Sequence, residues 1–227
     1  MDAFNPLFKS PPRLAKPSAV IFDLDGTLID SESVVRDCWQ ESMRHFGYEL
    51  ENQLHQQLLG RRLRDVDHIL FEHFGSQLPI SEIRERVKVQ YETRVRAGDV
   101  NLKPGVLEVI SLVDTLNIKR AVATSTGFER ALYMLSLLGL NFDVLVGGDQ
   151  IRNGKPAPDI YLESAKRLSV MPADCWAIED SHHGMTSAVA AGVTAIMVPD
   201  LLPAHPDHKI VAQSLHEVHD WLTQYSQ

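Results

Sequence analysis

The stretch 20-VIFDLDGTLIDSE-32 is an apolar run that ends on two carboxylates one residue apart, Asp23 and Asp25. The run predicts a short buried strand at 19–22, which Gly26 brings to a stop. Side chains two residues apart in extended backbone point the same way, so we expect both carboxylates to face one site. An Asp-Gly turn would explain Asp25 but not Asp23, and the spacing does not match an EF-hand calcium loop. Because like charges this close repel each other unless a cation lies between them, the stretch predicts a functional site.

The overall composition narrows the class of protein. The chain has 227 residues, 44% of them hydrophobic and 23% charged, with a formal net charge of -8. This length suits one large domain, or one domain with a modest insertion. The negative charge argues against a nucleic-acid or anionic-membrane partner. The sequence contains no apolar run of about 18 residues, so we expect no transmembrane helix.

Two further features of the sequence, its cysteines and its first 18 residues, bear on the cellular location of the protein. Cys38 and Cys175 lack metal-type spacing, so we expect buried thiols in a reducing compartment and a cytoplasmic protein. Residues 1–18 contain four prolines and no signal-peptide pattern, which predicts a flexible N-terminal leader.

The apolar pattern changes twice along the chain. Between 33 and 100, apolar residues recur at helical spacing, which predicts an all-helical unit. From 101 to 227, short apolar strands alternate with helices, which indicates βαβ units and a parallel sheet covered on both faces. The predicted strands are 120–124, 144–146, 176–178 and 195–198, and the predicted helices are 105–116, 128–138, 158–168, 183–191 and 214–225. The sequence therefore predicts an α/β fold, a Rossmann-like core of 19–32 and 101–227 with an inserted helical domain at 33–100.

Polar residues follow several of these strands. In an open parallel sheet, ligands bind outside the carboxyl ends of the strands. Asp180 follows one strand there, and with Asp23 and Asp25 it would form an oxygen-rich pocket suited to Mg²⁺. The plainer alternative is that Asp180, or Ser181, only caps the next helix. Thr124 ends another strand, where its hydroxyl could donate to a phosphoryl oxygen or simply belong to a Ser/Thr-rich turn.

Lys155 lies in the loop 153-NGKPAPD-159. A loop lysine is usually solvated, but Gly154 and Pro156 give this one a fixed presentation at the same sheet edge, which favours a functional role. The loop is not a P-loop: Gly148 and Gly154 have five residues between them instead of four, and Pro156 stands where Ser or Thr belongs.

Four motifs taken together resemble the haloacid dehalogenase superfamily, in its β-phosphoglucomutase-like branch with a helical cap. They are 23-DLDGTLID-30, 121-AVATS-125, 154-GKPAPD-159 and 179-ED-180, and the resemblance extends from Ala19 to the last helix. It implies phosphoryl transfer through an aspartyl-phosphate. The implied roles are a nucleophile at Asp23, an acid and base at Asp25, phosphate contacts from Thr124, Ser125 and Lys155, and a Mg²⁺ site formed by Asp23, the backbone carbonyl of Asp25, and Asp180, with Glu179 close by.

Departures from the family pattern narrow the reaction. Dehalogenases lack the second aspartate and phosphonoacetaldehyde hydrolases resemble D-x-A-G-T, so Asp25 argues against both. The β-phosphoglucomutases carry a histidine in the first cap helix, where this chain has Val35, and His45 is too far along to substitute. The resemblance therefore implies a phosphatase. A hexose-phosphate mutase is the alternative, and a non-catalytic regulator with a phospho-aspartate is disfavoured because it needs no Asp25.

The predicted cap contains 59-LGRRLRD-65, whose three arginines are Arg61, Arg62 and Arg64. They either form a solvated basic surface or reach a second anionic or hydroxyl-rich part of the substrate. We expect the partner to be a small phosphorylated metabolite, a sugar or sugar-acid phosphate, and the protein to be a monomer or weak homodimer. An adjacent pair, His182 and His183, is disfavoured as a transition-metal site because neighbouring residues at a helix start point apart.

Overall fold

A computed structural model of the chain describes residues 14–58 and 63–226. Its centre is a five-stranded parallel sheet in the order β3-β2-β1-β4-β5. The strands are Ala19–Phe22 (β1), Lys119–Ala123 (β2), Val144–Val146 (β3), Cys175–Glu179 (β4) and Thr194–Met197 (β5). The predicted α/β fold is confirmed, and each predicted strand is present with bounds that differ by one residue at most.

The helices fall into two groups. Among the described residues, four helices lie between β1 and the rest of the sheet: Ser31–His45 (α1), Asn52–Leu58 (α2), Leu63–Phe74 (α3) and Ile80–Arg96 (α4). Five follow: Val106–Thr115 (α5), Phe128–Leu137 (α6), Asp159–Leu168 (α7), His182–Ala190 (α8) and Leu215–Thr223 (α9). The helical unit is therefore inserted directly after the first strand, where the sequence pattern placed it.

Strand β1 occupies the middle of the sheet and is buried on both faces. Val20 and Phe22 point into an apolar cluster that includes residues of α5 and α9, whereas Ala19 and Ile21 point into a second cluster with residues of α7 and α8. Phe22 pairs with Val122 on one side and with Ile178 on the other. The carboxyl ends of β1, β2 and β4 consequently lie side by side, which is the edge where such sheets bind ligands.

The helical unit is joined to the sheet by two linkers that pair with each other. The Asp30 backbone N–H donates to the carbonyl of Asn101, and the Lys103 N–H donates to that of Leu28, both at 2.9 Å. The Asp30 carboxylate also caps α1 by accepting from the Ser33 N–H at 3.3 Å. Both linkers therefore leave the sheet next to Asp23 and Asp25.

Residues 14–18 of the predicted leader pack against the amino end of the sheet. The Ser18 N–H donates to the Asp174 carbonyl at 2.8 Å, and the Tyr225 hydroxyl donates to the Leu14 carbonyl. This part of the leader is thus held by the core, while residues 1–13 lie outside the described residues. Cys38 and Cys175 are buried free thiols, as expected. No described helix combines the length and apolar character needed to span a bilayer.

Candidate active site

Asp23 continues the backbone ladder one residue beyond β1. Its N–H donates to the Ile178 carbonyl at 2.9 Å, so the side chain starts from a rigid strand. The residue is only 7% exposed, and its Oδ1 accepts from Lys155 Nζ at 2.5 Å. The structure therefore brings together two predicted site residues that are 132 positions apart.

The turn after Asp23 needs glycine at position 26. Gly26 has φ +81°, and a Cβ there would lie 2.2 Å from Asp180 Oδ2, a distance that no side chain tolerates. Thr27 Oγ1 donates to the other oxygen of Asp180 at 3.4 Å. The DGT part of the first motif thus forms the surface against which Asp180 packs.

Asp25 accepts a hydrogen bond from a residue in the loop after β2 that the sequence did not single out. Thr126 Oγ1 donates to Asp25 Oδ2 at 2.7 Å, and the Thr126 N–H donates to Thr124 Oγ1 at 3.0 Å. Thr124 is buried at the end of the strand, whereas Ser125 is exposed on the same loop. Three consecutive hydroxyl residues look alike in sequence, and only the fold shows which one reaches Asp25.

Lys155 is a buried cation and not a solvated loop lysine. Its Nζ donates to Asp23 Oδ1 and Glu179 Oε1, each at 2.5 Å, and to the Ala123 carbonyl at 3.1 Å. Burial by itself lowers the pKa of Lys155, but the charges of Asp23 and Glu179 outweigh it and raise the pKa above its ordinary value. The raised pKa means that Lys155 carries its positive charge into the site at neutral pH.

Glu179 is fully buried and both of its oxygens have protein donors. Oε1 accepts from the Tyr161 hydroxyl at 2.6 Å as well as from Lys155, and Oε2 accepts from Ser181 Oγ at 3.0 Å. A Cβ at Gly184 would lie 1.9 Å from this carboxyl group, so α8 approaches it only because position 184 is glycine. Tyr161 was not predicted, since an aromatic on the apolar face of a helix ordinarily indicates core packing.

Three carboxylates could share a metal ion. Asp23, Glu179 and Asp180 each offer an oxygen, and these oxygens lie within 4.8 Å of one another. Burial raises the pKa of Asp23 to about 8, with Lys155 acting in the opposite direction and Glu179 adding to the rise. Burial, followed by the charges of Asp23 and Glu179, also raises the pKa of Asp180 well above its ordinary value. Carboxyl groups that lie close together, have raised pKa values and offer hard oxygen donors form a suitable site for a divalent cation such as Mg²⁺.

Ser181 has two roles at this point. Its hydroxyl accepts from the Gly184 N–H at 3.0 Å and so caps α8, while it also donates to Glu179. The capping alternative is thus correct for Ser181, whereas Asp180 faces the acidic group instead.

The predicted cap residues are only partly described. Arg61 and Arg62, and the side chain of Arg64, lie outside the described residues. Val35 lies near the start of α1 and His45 ends that helix. Ten residues of helix separate them by about 15 Å, so the histidine does not occupy the position that a mutase would need it to fill.

Comparison with known proteins agrees with this geometry. Residues 20–198 match the family model described as haloacid dehalogenase-like hydrolase. A curated phosphorylated carbohydrates phosphatase of Thermotoga maritima is 37% identical over 180 residues, which cover 78% of this chain and 83% of that protein. A fructose-1-phosphate phosphatase of Escherichia coli is 32% identical over 186 residues, covering 80% of this chain and 96% of that one.

Solved structures show the same relationship. A Thermotoga maritima protein, provisionally described as a beta-phosphoglucomutase, superposes with a TM-score of 0.74 at 31% identity. The match covers 91% of this chain and 98% of that one. With a family match over most of the sheet and its helical insertion, this chain belongs to the haloacid dehalogenase-like hydrolase family.

Proposed function

We propose that the protein is a Mg²⁺-dependent phosphatase that hydrolyses a small phosphorylated metabolite, a sugar or sugar-acid phosphate, through an aspartyl-phosphate on Asp23. The observation that carries the proposal is the pairing of Asp23 with the buried cation Lys155, next to a second aspartate held by Thr126. The names of the two curated relatives, phosphatases of phosphorylated carbohydrates and of fructose 1-phosphate, support the substrate class.

In the first step, a carboxylate oxygen of Asp23 forms a bond to phosphorus as the ester P–O bond breaks. Lys155 lies on Asp23 Oδ1, so it reduces the repulsion between the carboxylate and the phosphate dianion. Asp25 gives its proton to the departing ester oxygen, and Thr126 fixes the direction of that carboxyl group. The hydroxyl of Thr124 would donate to an oxygen of the transferred phosphoryl group.

In the second step, Asp25 acts as a base. As a carboxylate it takes a proton from water, the water oxygen bonds to phosphorus, and the bond between phosphorus and Asp23 breaks. Inorganic phosphate leaves and both aspartates return to their starting states. The two steps need one residue to alternate between acid and base, which explains why Asp25 is present beside the nucleophile.

Asp23, the Asp25 carbonyl and Asp180 would hold the metal, and Glu179 would instead fix Lys155 because its oxygens already have protein donors. When bound, Mg²⁺ would neutralise charge on the phosphoryl oxygens. Residues 33–100 would serve as a cap on the core of 19–32 and 101–227. Its arginines, Arg61, Arg62 and Arg64, would contact the part of the substrate beyond the phosphate.

A hexose-phosphate mutase is the second candidate, because one solved relative is provisionally described as a beta-phosphoglucomutase. The Val35 position disfavours it, since a mutase needs an acid-base residue for the sugar hydroxyl there.

Incubation with fructose 1-phosphate, a hexitol phosphate and β-glucose 1-phosphate in Mg²⁺ separates the candidates. We expect released phosphate and no isomer. Isomer without phosphate would overturn the proposal, and a stable phospho-aspartate with no turnover would indicate a regulatory protein.

A further inference from the structure

A cavity of about 380 Å³ opens beside the carboxyl ends of β4 and β5. Its lining includes Glu32, Asp180, His182, Asp200, Leu202 and His205. Because Asp180 belongs to the acidic group around Asp23, the cavity adjoins the place where the reacting phosphate would lie. A six-carbon chain fits within this volume, which is in the range of small-ligand sites.

One wall of the cavity carries hydrogen-bond acceptors. Asp200 accepts from Lys103 with Oδ1, while its buried Oδ2 has no hydrogen-bond partner within the described residues. Glu32 lies beside it, and burial, then the charges of Asp200 and Asp25, raise the pKa of Glu32. The carboxylates that line the cavity, Glu32, Asp180 and Asp200, thus form an acceptor wall that extends from Asp180 toward the leaving-group acid, Asp25.

Three histidines supply a donor at the rim. The His205 backbone N–H donates to His208 Nδ1 at 3.2 Å, which leaves the proton of a neutral His208 on Nε2. That Nε2 lies 3.1 Å from His182 Nδ1, so it donates there, and His182 carries its own proton on Nε2. The rings of His182 and His205 pack with centroids 4.5 Å apart, which fixes the group in place. His182 is exposed and therefore presents an N–H donor to a ligand.

The opposite wall is apolar. Leu201 and Leu202 line the cavity and are 38% and 44% exposed, and Pro203 continues the same surface. An acceptor, a donor and an apolar surface around one cavity match a sugar or polyol, which has hydroxyls along its edges and C–H groups on its faces. The carboxylates make the cavity unfavourable for a second phosphate group.

We propose that this cavity binds the hydroxylated carbon skeleton of the phosphate ester, with the carboxylate wall of Glu32 and Asp200 accepting from its hydroxyls and His182 donating to one. The proposal rests on the proposed function, because it takes the phosphate of the same molecule to lie at Asp23. It names the substrate class as monophosphates whose carbon skeleton is uncharged and rich in hydroxyls, in preference to bisphosphates.

The test is to fill the cavity and compare two substrates. Fructose 1-phosphate has a skeleton that would enter the cavity, whereas acetyl phosphate has two carbons in its leaving group and no hydroxyl. In Leu202→Trp we expect the ratio of kcat/KM for fructose 1-phosphate to that for acetyl phosphate to fall at least tenfold, mainly through a higher KM for the sugar phosphate. Val189→Trp is the matched control, since Val189 is 64% exposed on α8 and does not line the cavity; its ratio should stay at the wild-type value.

An unchanged ratio in Leu202→Trp, or an equal loss on both substrates, would overturn the proposal. If the melting temperature shows that Leu202→Trp does not fold, His205→Trp fills the same cavity and must give the same fall in ratio. If the wild-type protein releases phosphate from neither substrate, the proposed function itself is contradicted and this inference falls with it. A wild-type enzyme that hydrolyses fructose 1,6-bisphosphate more efficiently than fructose 1-phosphate would contradict the inference alone.

Discussion

Tyr161 lies in the candidate active site, fully buried, with its hydroxyl donating to Glu179. Lys155 Nζ lies 5.4 Å from the centre of its ring, so the phenol contacts both members of the Lys155–Glu179 pair. Burial, followed by the charge of Glu179, raises the pKa of Tyr161 well above its ordinary value, so the hydroxyl keeps its proton and remains a donor. Tyr161 thus holds Glu179 in the position from which Glu179 holds Lys155.

We expect Tyr161→Phe to lower kcat on phosphate monoesters by about tenfold and to cost roughly 1.5–3 kcal/mol of unfolding free energy, because it removes a hydrogen bond to a buried carboxylate. Steady-state kinetics and urea unfolding measure the two effects. Tyr225→Phe is the control: its hydroxyl bonds the Leu14 carbonyl far from the site, so only stability should fall. Equal kcat values for Tyr161→Phe and the wild type would show that the phenol does not position the site.

The sequence identified the residues whose type and spacing carry chemistry, but not those that support them. Asp23 follows a strand and Lys155 lies in a loop, both in recognisable motifs, and the structure joins them. Thr126 and Tyr161 carry no local signal, since one lies in a hydroxyl-rich turn and the other on an apolar helix face. Their partners, Asp25 and Glu179, are 101 and 18 residues away, so their roles follow only from the fold.

At the scale of elements, the paired linkers connect the sheet to the helical unit. The first linker ends at Asp30, whose carboxylate caps α1 shortly after the turn that contains Asp25 and Gly26. The β1 strand, its neighbours and α1 therefore form one continuous support for Asp23 and Asp25.

Loss of the α1 cap should lower stability by a predictable amount. We expect Asp30→Ala to reduce the free energy of unfolding by about 1 kcal/mol, because the Ser33 N–H loses its acceptor. In a chain of this size that corresponds to a melting temperature lower by about 2–4 °C. Differential scanning fluorimetry measures the shift, and Asp30→Asn, which keeps a side-chain acceptor, should retain most of the stability. If Asn and Ala give the same loss, the cap is not the cause.

The strands were predicted to within one residue because each is a short apolar run bounded by polar residues or glycine. The helical insertion was also predictable, since β1 had no crossover helix of its own. The cavity beside β5 was not predictable, because Glu32, Asp180 and Asp200 come from three distant segments. Arg61 and Arg62 lie outside the described residues, so the predicted arginine contacts stay predictions.

For the whole molecule, we expect the crowded acids at Asp23 to make the free energy of unfolding depend on both divalent metal and pH. Burial raises the Asp23 pKa from 3.8 to about 8, so between these values the folded chain holds a proton that the unfolded chain has released. Without metal, this group's contribution to the free energy of unfolding therefore falls as pH rises from about 4 to about 8. A divalent cation relieves the repulsion and competes with that proton.

We therefore expect Mg²⁺ at about 100 times its Kd to stabilise the protein by about 2.7 kcal/mol, or roughly 5–10 °C in melting temperature. At a fixed Mg²⁺ concentration the gain should be larger at pH 8 than at pH 6, because fewer protons must be displaced. Scanning fluorimetry in Mg²⁺ or EDTA at both pH values measures it, and Asp180→Asn should remove most of the effect. If adding Mg²⁺ does not change the melting temperature at either pH value, a metal site at these acids is contradicted.

In the proposed reaction the phosphoryl group passes through Asp23. Mass spectrometry tests this transfer directly. The protein is quenched in acid during turnover of fructose 1-phosphate and then digested, and its peptides are measured. We expect one added phosphoryl group in the peptide that contains Asp23, no such group in Asp23→Asn, and loss of phosphate release in that variant. A phosphoryl group on another residue, or continued phosphate release by Asp23→Asn, would contradict the proposed reaction.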